Sequence, residues 1–183
     1  MARIFVAIGL PSELQQRLGL ICGGIPGARW ISPERLHLTL RFIGEVNRER
    51  MRDIDDALAG IDFVPFDLQL EGVGQFGGDK PRVLWAGVAP NPELMRLHEQ
   101  VNLALARAGV PSDTRRYVPH VTLARLKFAP HDRLGAFIAH NNILGLGAFT
   151  VDDFLLMSSH QSRDGSHYRV EQSYQARVFA EYL

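Results

Sequence analysis

One short pattern occurs twice in the sequence: a histidine, an apolar residue, a threonine and a leucine in a row. The two copies are His37-Leu38-Thr39-Leu40 and His120-Val121-Thr122-Leu123. The chain holds seven histidines and four threonines in 183 residues. Random placement would therefore give roughly 0.15 His-X-Thr matches, so two copies are far more than chance matches of a short motif would produce. The duplicated pattern is the most specific functional signal in the chain.

The spacing within each copy has a chemical meaning. Residues i and i+2 of a β-strand point to the same face, roughly 7 Å apart along the chain. Each copy therefore offers an imidazole and a hydroxyl side by side, while Leu38, Leu40, Val121 and Leu123 face the core. Two such strands across a cleft would supply two proton-transfer groups and two hydroxyl donors.

Such a four-point site suits in-line displacement at a phosphate. A base takes the proton of the attacking water, an acid protonates the leaving oxygen, and donors hold the remaining oxygens. Histidine titrates near neutral pH, so either imidazole can play either part. The residues alone leave open which is the acid.

Other interpretations of the histidines are weaker. A pair of core or edge-strand histidines satisfied by local hydrogen bonds would explain a single His-X-Thr segment, but the duplication disfavours it. A zinc site is not indicated, because the chain has no His-Glu-X-X-His segment and only one cysteine, Cys22. We therefore predict no metal and no cofactor. His160 and His167 flank the last predicted turn and are secondary candidates for substrate contact, whereas His98 is expected at the surface.

The elements that must position the motifs follow from hydrophobic periodicity and turn signals. Strands are predicted over 3–10, 36–43, 66–73, 83–88, 117–126, 149–158 and 168–179. Helices are predicted to begin with Ser12 as a cap, after the cap Asn47, at Pro92, and between His131 and Asn141. The irregular alternation and the hairpins indicate a mainly antiparallel α+β architecture. No linker interrupts the chain, so a single domain over residues 1–183 is expected.

Composition limits the classes of function. Apolar residues make up 46% of the chain and charged residues 22%, as in ordinary globular proteins. The formal net charge is zero, so any contact with nucleic acid should be local to a pocket. Arginine dominates the positive charge and suits bidentate phosphate binding. The single cysteine and the short apolar start of the chain predict a cytoplasmic protein without a membrane anchor.

The motifs resemble those of the two-histidine phosphoesterase superfamily. Within it, the chain is similar to the RNA 2′,3′-cyclic phosphodiesterases, historically called 2′-5′ RNA ligases. The resemblance covers nearly the full length and is carried by segments 3–8, 37–46, 81–88, 119–125, 154–159 and 165–168. It implies a bilobal α+β fold with approximate two-fold symmetry. Mainly antiparallel sheets flanked by helices would then carry one His-X-Thr strand per lobe, with the active-site cleft between the lobes.

The resemblance also implies an activity. It is that of a phosphoric diester hydrolase, which opens a 2′,3′-cyclic phosphate to a 2′-phosphomonoester without metal. His37 would be the proton donor to the departing 3′-oxygen, and His120 the proton acceptor that activates water. Thr39 and Thr122 would bind the non-bridging oxygens.

Four further substrate contacts are expected: Arg125 to phosphate or base, Phe42 stacking on a terminal base, Arg41 to phosphate, and Tyr168 to ribose or phosphate. On a regular strand Arg125 and Phe42 would face away from the His-Thr face, so their contacts require a bend. Arg41 has the His-Thr parity but sits farther along the strand.

Alternative functions stay open from the sequence. The same two histidines would serve 2′-5′ ligation of RNA ends or 2′-5′ phosphodiester hydrolysis. A non-catalytic RNA-end-binding module is disfavoured, because a pure binder has no need of two proton-transfer groups. The expected partners are RNA ends or cyclic nucleotides bound by a monomer, with no membrane association.

Overall fold

The computed structural model describes residues 2–142, 145–163 and 165–178. Its helices are α1 Ser12–Ile21, α2 Arg48–Ala59, α3 Pro92–Arg107 and α4 His131–Asn141, with a short 3-10 turn at Pro33–Arg35. Its strands are β1 Ala2–Gly9, β2 Ala28–Trp30, β3 His37–Val46, β4 Phe66–Phe76, β5 Val83–Val88, β6 His120–Leu126, β7 Gly145–Val151, β8 Asp153–Ser162 and β9 Gly165–Gln175. The predicted mixture of helices and strands is confirmed.

The strands form one sheet in the order β7-β4-β5-β6-β3-β1-β8-β9, with β2 beside β6. Every recorded pairing is antiparallel. The order divides at the β3–β6 joint into two four-stranded halves. We call β3, β1, β8 and β9 the first lobe, and β6, β5, β4 and β7 the second lobe. This arrangement confirms the bilobal, antiparallel α+β fold, with one His-X-Thr strand in each lobe.

Local sequence explains most elements. In β4 the buried Phe66, Leu68 and Leu70 alternate with exposed polar residues, as expected for a strand with one solvated face. Helix α3 buries the stripe that contains Leu94, Leu97 and Val101. It packs on β3, while α2 packs on α3 and β9, and α4 packs on β4.

Two helix starts confirm the predicted boundaries. The Asn47 side chain caps α2 by accepting the backbone N–H of Arg50 at 2.8 Å, and α3 begins at Pro92. The predicted cap Ser12 is wrong, because Pro11 occupies the cap position and Ser12 is the first helical residue. None of the described helices is long and apolar enough to cross a membrane.

Two strand predictions require correction. The segment 149–158, predicted as one strand, is broken at Asp152 into β7 and β8. β7 pairs with β4 of the second lobe, whereas β8 pairs with β1 of the first, so the chain changes lobes at this residue. Strand β2 was not predicted, and the last strand ends at Gln175 rather than at the predicted Phe179, which itself lies outside the described residues.

Candidate active site

The two His-X-Thr segments lie side by side on antiparallel strands. The middle residues of the motifs, Leu38 and Val121, face each other across the β3–β6 joint, and both are 0% exposed. Their burial directs the flanking histidines and threonines to the opposite face. Because the strands run in opposite directions, His37 lies on the side of Thr122 and Thr39 on the side of His120.

That face opens into a cavity of about 540 Å³. The predicted site residues that line it are His37, Thr39, Phe42, His120, Thr122, Arg125 and Tyr168. Residues that sequence reasoning did not single out include Arg3, Phe5, Arg29, Trp30, Arg35, Ser159 and Gln161. The Arg29-Trp30 pair, an arginine beside an aromatic residue, was a usable signal for nucleotide contact.

A β-bulge in β3 brings Phe42 into the cavity. Ala7 of β1 pairs with Thr39, and the preceding Val6 pairs with Arg41, so Leu40 is an extra residue in β3. An extra residue reverses the parity of the strand beyond it. Phe42 therefore joins the face of His37, which supplies the bend that its predicted contact required.

Strand β6 carries the equivalent bulge. Trp85 of β5 pairs with Thr122, and Leu84 pairs with Ala124, so Leu123 is the extra residue. Arg125 is thereby turned into the cavity. Phe42 and Arg125 thus occupy corresponding places in the two lobes, three residues after the threonine of each motif.

The same bulge removes Arg41 from the cavity. Its side chain is only 8% exposed, and its guanidinium donates to Asn102 Oδ1 of α3 at 2.7 Å and to the carbonyl oxygen of Pro111. The placement contradicts the predicted phosphate contact, which rested on an unbroken strand parity. Arg41 instead ties β3 to α3 and to the segment that follows α3.

The two imidazoles are held in the same way. His37 Nδ1 lies 2.8 Å from the carbonyl oxygen of Arg35, and His120 Nδ1 lies 2.7 Å from that of Val118. A carbonyl oxygen only accepts, so each Nδ1 carries a proton. Each Nε2 is therefore the atom available for proton transfer, and that of His37 lies 3.1 Å from Thr39 Oγ1.

Aromatic side chains fix the orientation of both rings. Phe5 and Tyr168 contact the His37 ring at centroid distances of 5.1 and 5.4 Å, the latter edge-on. Phe76 meets the His120 ring edge-on at 4.9 Å. The Tyr168 ring also lies 4.9 Å from the guanidinium carbon of Arg35. Tyr168 therefore both lines the cavity and supports His37 and Arg35.

Burial lowers the pKa of both His37 and His120 below the ordinary imidazole value of 6.5. The hydrogen bond to a backbone carbonyl opposes this effect in each case, and the positive charge of Arg35 adds to it for His37. A bound phosphate would favour the protonated forms, because its negative charge offsets the cost of burial.

The cavity is basic although the whole chain is neutral. Its lining includes Arg3, Arg29, Arg35 and Arg125 and, among the residues that the structure describes, no aspartate or glutamate. The Nε of Arg35 is buried and has no hydrogen-bond partner among the described residues. The local charge and this unsatisfied donor suit a small anionic ligand.

The other histidines do not reach the cavity. His160 Nε2 lies 3.0 Å from Ser158 Oγ, and His167 Nε2 lies 2.8 Å from Ser162 Oγ. The expectation of a surface position for His98 is wrong, because this residue is half-buried and stacks on Tyr117 with ring centroids 3.7 Å apart.

The chain is similar to known phosphoesterases along most of its length. The LigT like phosphoesterase family matches residues 8–85 and 87–168. A protein of Archaeoglobus fulgidus named RNA 2′,3′-cyclic phosphodiesterase is 32% identical over 171 residues, which are 91% of this chain and 96% of that one. A protein of the same name from Thermotoga maritima is 32% identical over 175 residues, 92% of each chain.

Solved structures show the same similarity. The crystal structure of Escherichia coli LigT in apo form is 27% identical, covers 97% of this chain and 98% of that chain, and superposes with a TM-score of 0.80. LigT complexed with phosphate is 25% identical and covers the same shares of the two chains, with a TM-score of 0.75.

Proposed function

The chain belongs to the LigT-like phosphoesterase family, and from that premise we propose that it hydrolyses 2′,3′-cyclic phosphates at RNA ends or on nucleotides to 2′-phosphomonoesters, without a metal ion. The observation that carries the proposal is the pair of His-X-Thr strands lining one basic cavity, each imidazole with its Nδ1 anchored on a carbonyl. The function named for the A. fulgidus and T. maritima relatives supports the choice of substrate.

In this mechanism neutral His120 is the general base. Its Nε2 accepts a proton from water as the water oxygen forms a bond to phosphorus. The bond between phosphorus and the 3′-oxygen breaks, and the Nε2 proton of His37 passes to that oxygen. The product is a 2′-phosphate with a free 3′-hydroxyl, and the two histidines exchange protonation states. Water restores the starting states between turnovers.

The threonine hydroxyls stabilise the charge that builds on the non-bridging oxygens. Thr39 and Thr122 stand beside the two imidazoles and donate hydrogen bonds to these oxygens. Arg125, turned into the cavity by the β6 bulge, contributes to the positive potential that attracts an anionic substrate. Phe42 offers an exposed ring on which a base can stack, and Tyr168 holds His37 and contacts the ribose.

The larger groove of about 740 Å³ between α2 and α3 does not suit this chemistry. Its ionisable residues are Asp53, Asp56, Asp62 and Arg107, so it holds no imidazole and would repel a phosphate. The basic cavity is therefore the better place for the reaction.

The test is hydrolysis of adenosine 2′,3′-cyclic phosphate and of a short RNA with a cyclic-phosphate end, in EDTA. We expect a 2′-phosphate product, identified by ³¹P NMR. His37→Ala and His120→Ala should each lower kcat by about 10²- to 10⁴-fold, whereas His131→Ala, an exposed control on α4, should not.

Several results would overturn the proposal. Activity that disappears in EDTA and returns with zinc would contradict the metal-independent mechanism. Tight nucleotide binding without turnover would indicate a binding module. A linked product from RNA ends, with no hydrolysis, would favour 2′-5′ ligation.

We also propose that the protein works as a cytoplasmic monomer. One chain supplies both imidazoles and the described residues that line the cavity around them, and its only cysteine, Cys22, is a free thiol. Light scattering after size-exclusion chromatography should give the mass of one chain, and fractionation should recover the protein with cytoplasmic markers. A dimer whose activity falls on dilution would contradict this.

A further inference from the structure

Two arginines face each other directly at the edge of the cavity. Arg29 of β2 and Arg125 of β6 are paired across the antiparallel ladder, and both side chains are exposed and line the cavity. Like charges at directly opposed positions of a sheet destabilise the pairing. The fold therefore keeps two like charges at directly opposed positions, where a bound anion would relieve their repulsion.

The described part of the chain provides no carboxylate in an ion pair with either arginine. The ion pairs among the described residues join Arg3 with Glu45, Arg115 with Asp113, Arg169 with Glu171 and Arg177 with Asp62. Neither Arg29 nor Arg125 takes part in them, and none of the described residues that line the cavity is a carboxylate. An anionic group of a ligand is the natural partner for two adjacent guanidinium groups, which bind phosphate oxygens in a bidentate manner.

The position of the pair separates it from the reacting phosphate. Arg125 follows Thr122 by three residues, and one of these, Leu123, is the bulge residue. The distance from Thr122 to Arg125 along the strand is therefore that of two regular strand residues, roughly 7 Å. This span is comparable to the separation of successive phosphates in a nucleic acid chain. The reacting phosphate already has two imidazoles and two hydroxyls, so the arginine pair is free to hold a second anion.

The opposite end of the cavity agrees with this placement. The corresponding position of the first lobe is Phe42, an exposed aromatic ring. A nucleoside held by its cyclic phosphate between the two motifs presents its base on one side and its 5′-oxygen on another. If the base stacks on Phe42 of the first lobe, the arginine pair of the second lobe is left for the 5′ side of the nucleoside.

We propose that Arg29 and Arg125 form a second phosphate subsite, which binds the phosphate on the 5′-oxygen of the terminal nucleoside. The inference rests on the proposed function and extends it to the substrate class. The preferred substrate is then a cyclic-phosphate end that continues into an RNA strand or carries a 5′-phosphate, rather than a bare nucleoside cyclic phosphate.

The test compares two substrates that differ by one phosphate: adenosine 2′,3′-cyclic phosphate with and without a 5′-phosphate. We expect the wild-type kcat/KM to be about tenfold or more higher with the 5′-phosphate, in line with hydrogen bonds to charged groups. Arg29→Gln should bring this ratio close to one, with a much smaller fall on the substrate that lacks the 5′-phosphate. Arg96→Gln, an exposed control on α3, should keep the full ratio.

The fold of the variant is checked by its thermal midpoint. Because Arg29→Gln removes one of two like charges at opposed positions, the midpoint temperature of unfolding should stay the same or rise. A wild-type ratio of one or less, or an unchanged ratio in Arg29→Gln, would overturn the subsite.

Failure of the proposed function gives a different result, namely no turnover of either substrate. In that case equilibrium binding of adenosine 3′,5′-bisphosphate and adenosine 3′-monophosphate decides the subsite by itself. Wild type should bind the bisphosphate about tenfold more tightly, and Arg29→Gln should not. Equal binding of the two ligands by wild type would refute the subsite.

Discussion

Leu38 and Val121, the middle residues of the two motifs, form the pair that joins the two lobes of the sheet. It is the single pairing recorded between β3 and β6 within the described part of the chain. The relative position of the two imidazoles therefore rests on a narrow joint, and contacts beside it should matter for catalysis. One such contact is the Tyr117 hydroxyl, which donates to the carbonyl oxygen of Thr39 at 3.0 Å.

The first prediction concerns this hydroxyl. Tyr117→Phe keeps the ring that stacks on His98 but frees the Thr39 carbonyl. We expect kcat to fall about three- to tenfold with little change in KM, and stability to fall by about 1 kcal/mol. Steady-state kinetics and urea unfolding measure the two effects. An unchanged kcat alongside the loss of stability would show that the contact supports the fold alone.

The second prediction concerns pH. Burial lowers the pKa of both His37 and His120 below 6.5. In the free enzyme, the acid His37 therefore loses its proton at a pH below 6.5. The base His120 stays neutral until the pH falls below its own lowered pKa. The bell-shaped profile of kcat/KM, which reports the free enzyme, should therefore reach its maximum below pH 6.5. The profile of kcat should lie at higher pH, since bound phosphate favours the imidazolium forms. A kcat/KM maximum well above pH 7 would contradict the burial effect.

Much of the site was predictable from the sequence, because it depends on local periodicity. The pair His37 and Thr39, and its counterpart in the second lobe, need only a regular strand and a buried neighbour such as Leu38 to reach one face. The repeated motif supplied both conditions. The helix cap Asn47 was predictable for the same reason, since capping depends on a few consecutive residues.

The predictions that were wrong concern features that depend on residues far away in the sequence. The bulges at Leu40 and Leu123 exist because of the register with β1 and β5, and no local signal marks them. They decide that Phe42 enters the cavity and Arg41 leaves it. The change of lobes at Asp152 was hidden for the same reason, because strand periodicity does not reveal which strand is the neighbour.

The third prediction contrasts two arginines. Arg41→Met removes two part-buried hydrogen bonds, to Asn102 and to the Pro111 carbonyl, from a side chain that is itself buried, so we expect a loss of about 1–3 kcal/mol of stability. Its KM should change little, because Arg41 does not line the cavity. Arg125→Met should show the reverse: a raised KM and an almost unchanged midpoint in urea. A large rise in KM for Arg41→Met, with no loss of stability, would restore the phosphate contact that the bulge excludes.

The fourth prediction concerns base recognition. Phe42 is 58% exposed and is supported by Phe5 at a centroid distance of 5.8 Å, which is the arrangement of a stacking platform. Phe42→Ala should weaken binding of nucleoside cyclic phosphates by about 1–3 kcal/mol, whereas Phe42→Trp should retain it. Phe128→Ala is the matched control, because Phe128 is 91% exposed but does not line the cavity. Ribose 2′,3′-cyclic phosphate, which has no base, should be bound equally by wild type and Phe42→Ala. An equal loss for that substrate would mean that Phe42 acts by packing on Phe5, and thereby on His37, rather than by stacking.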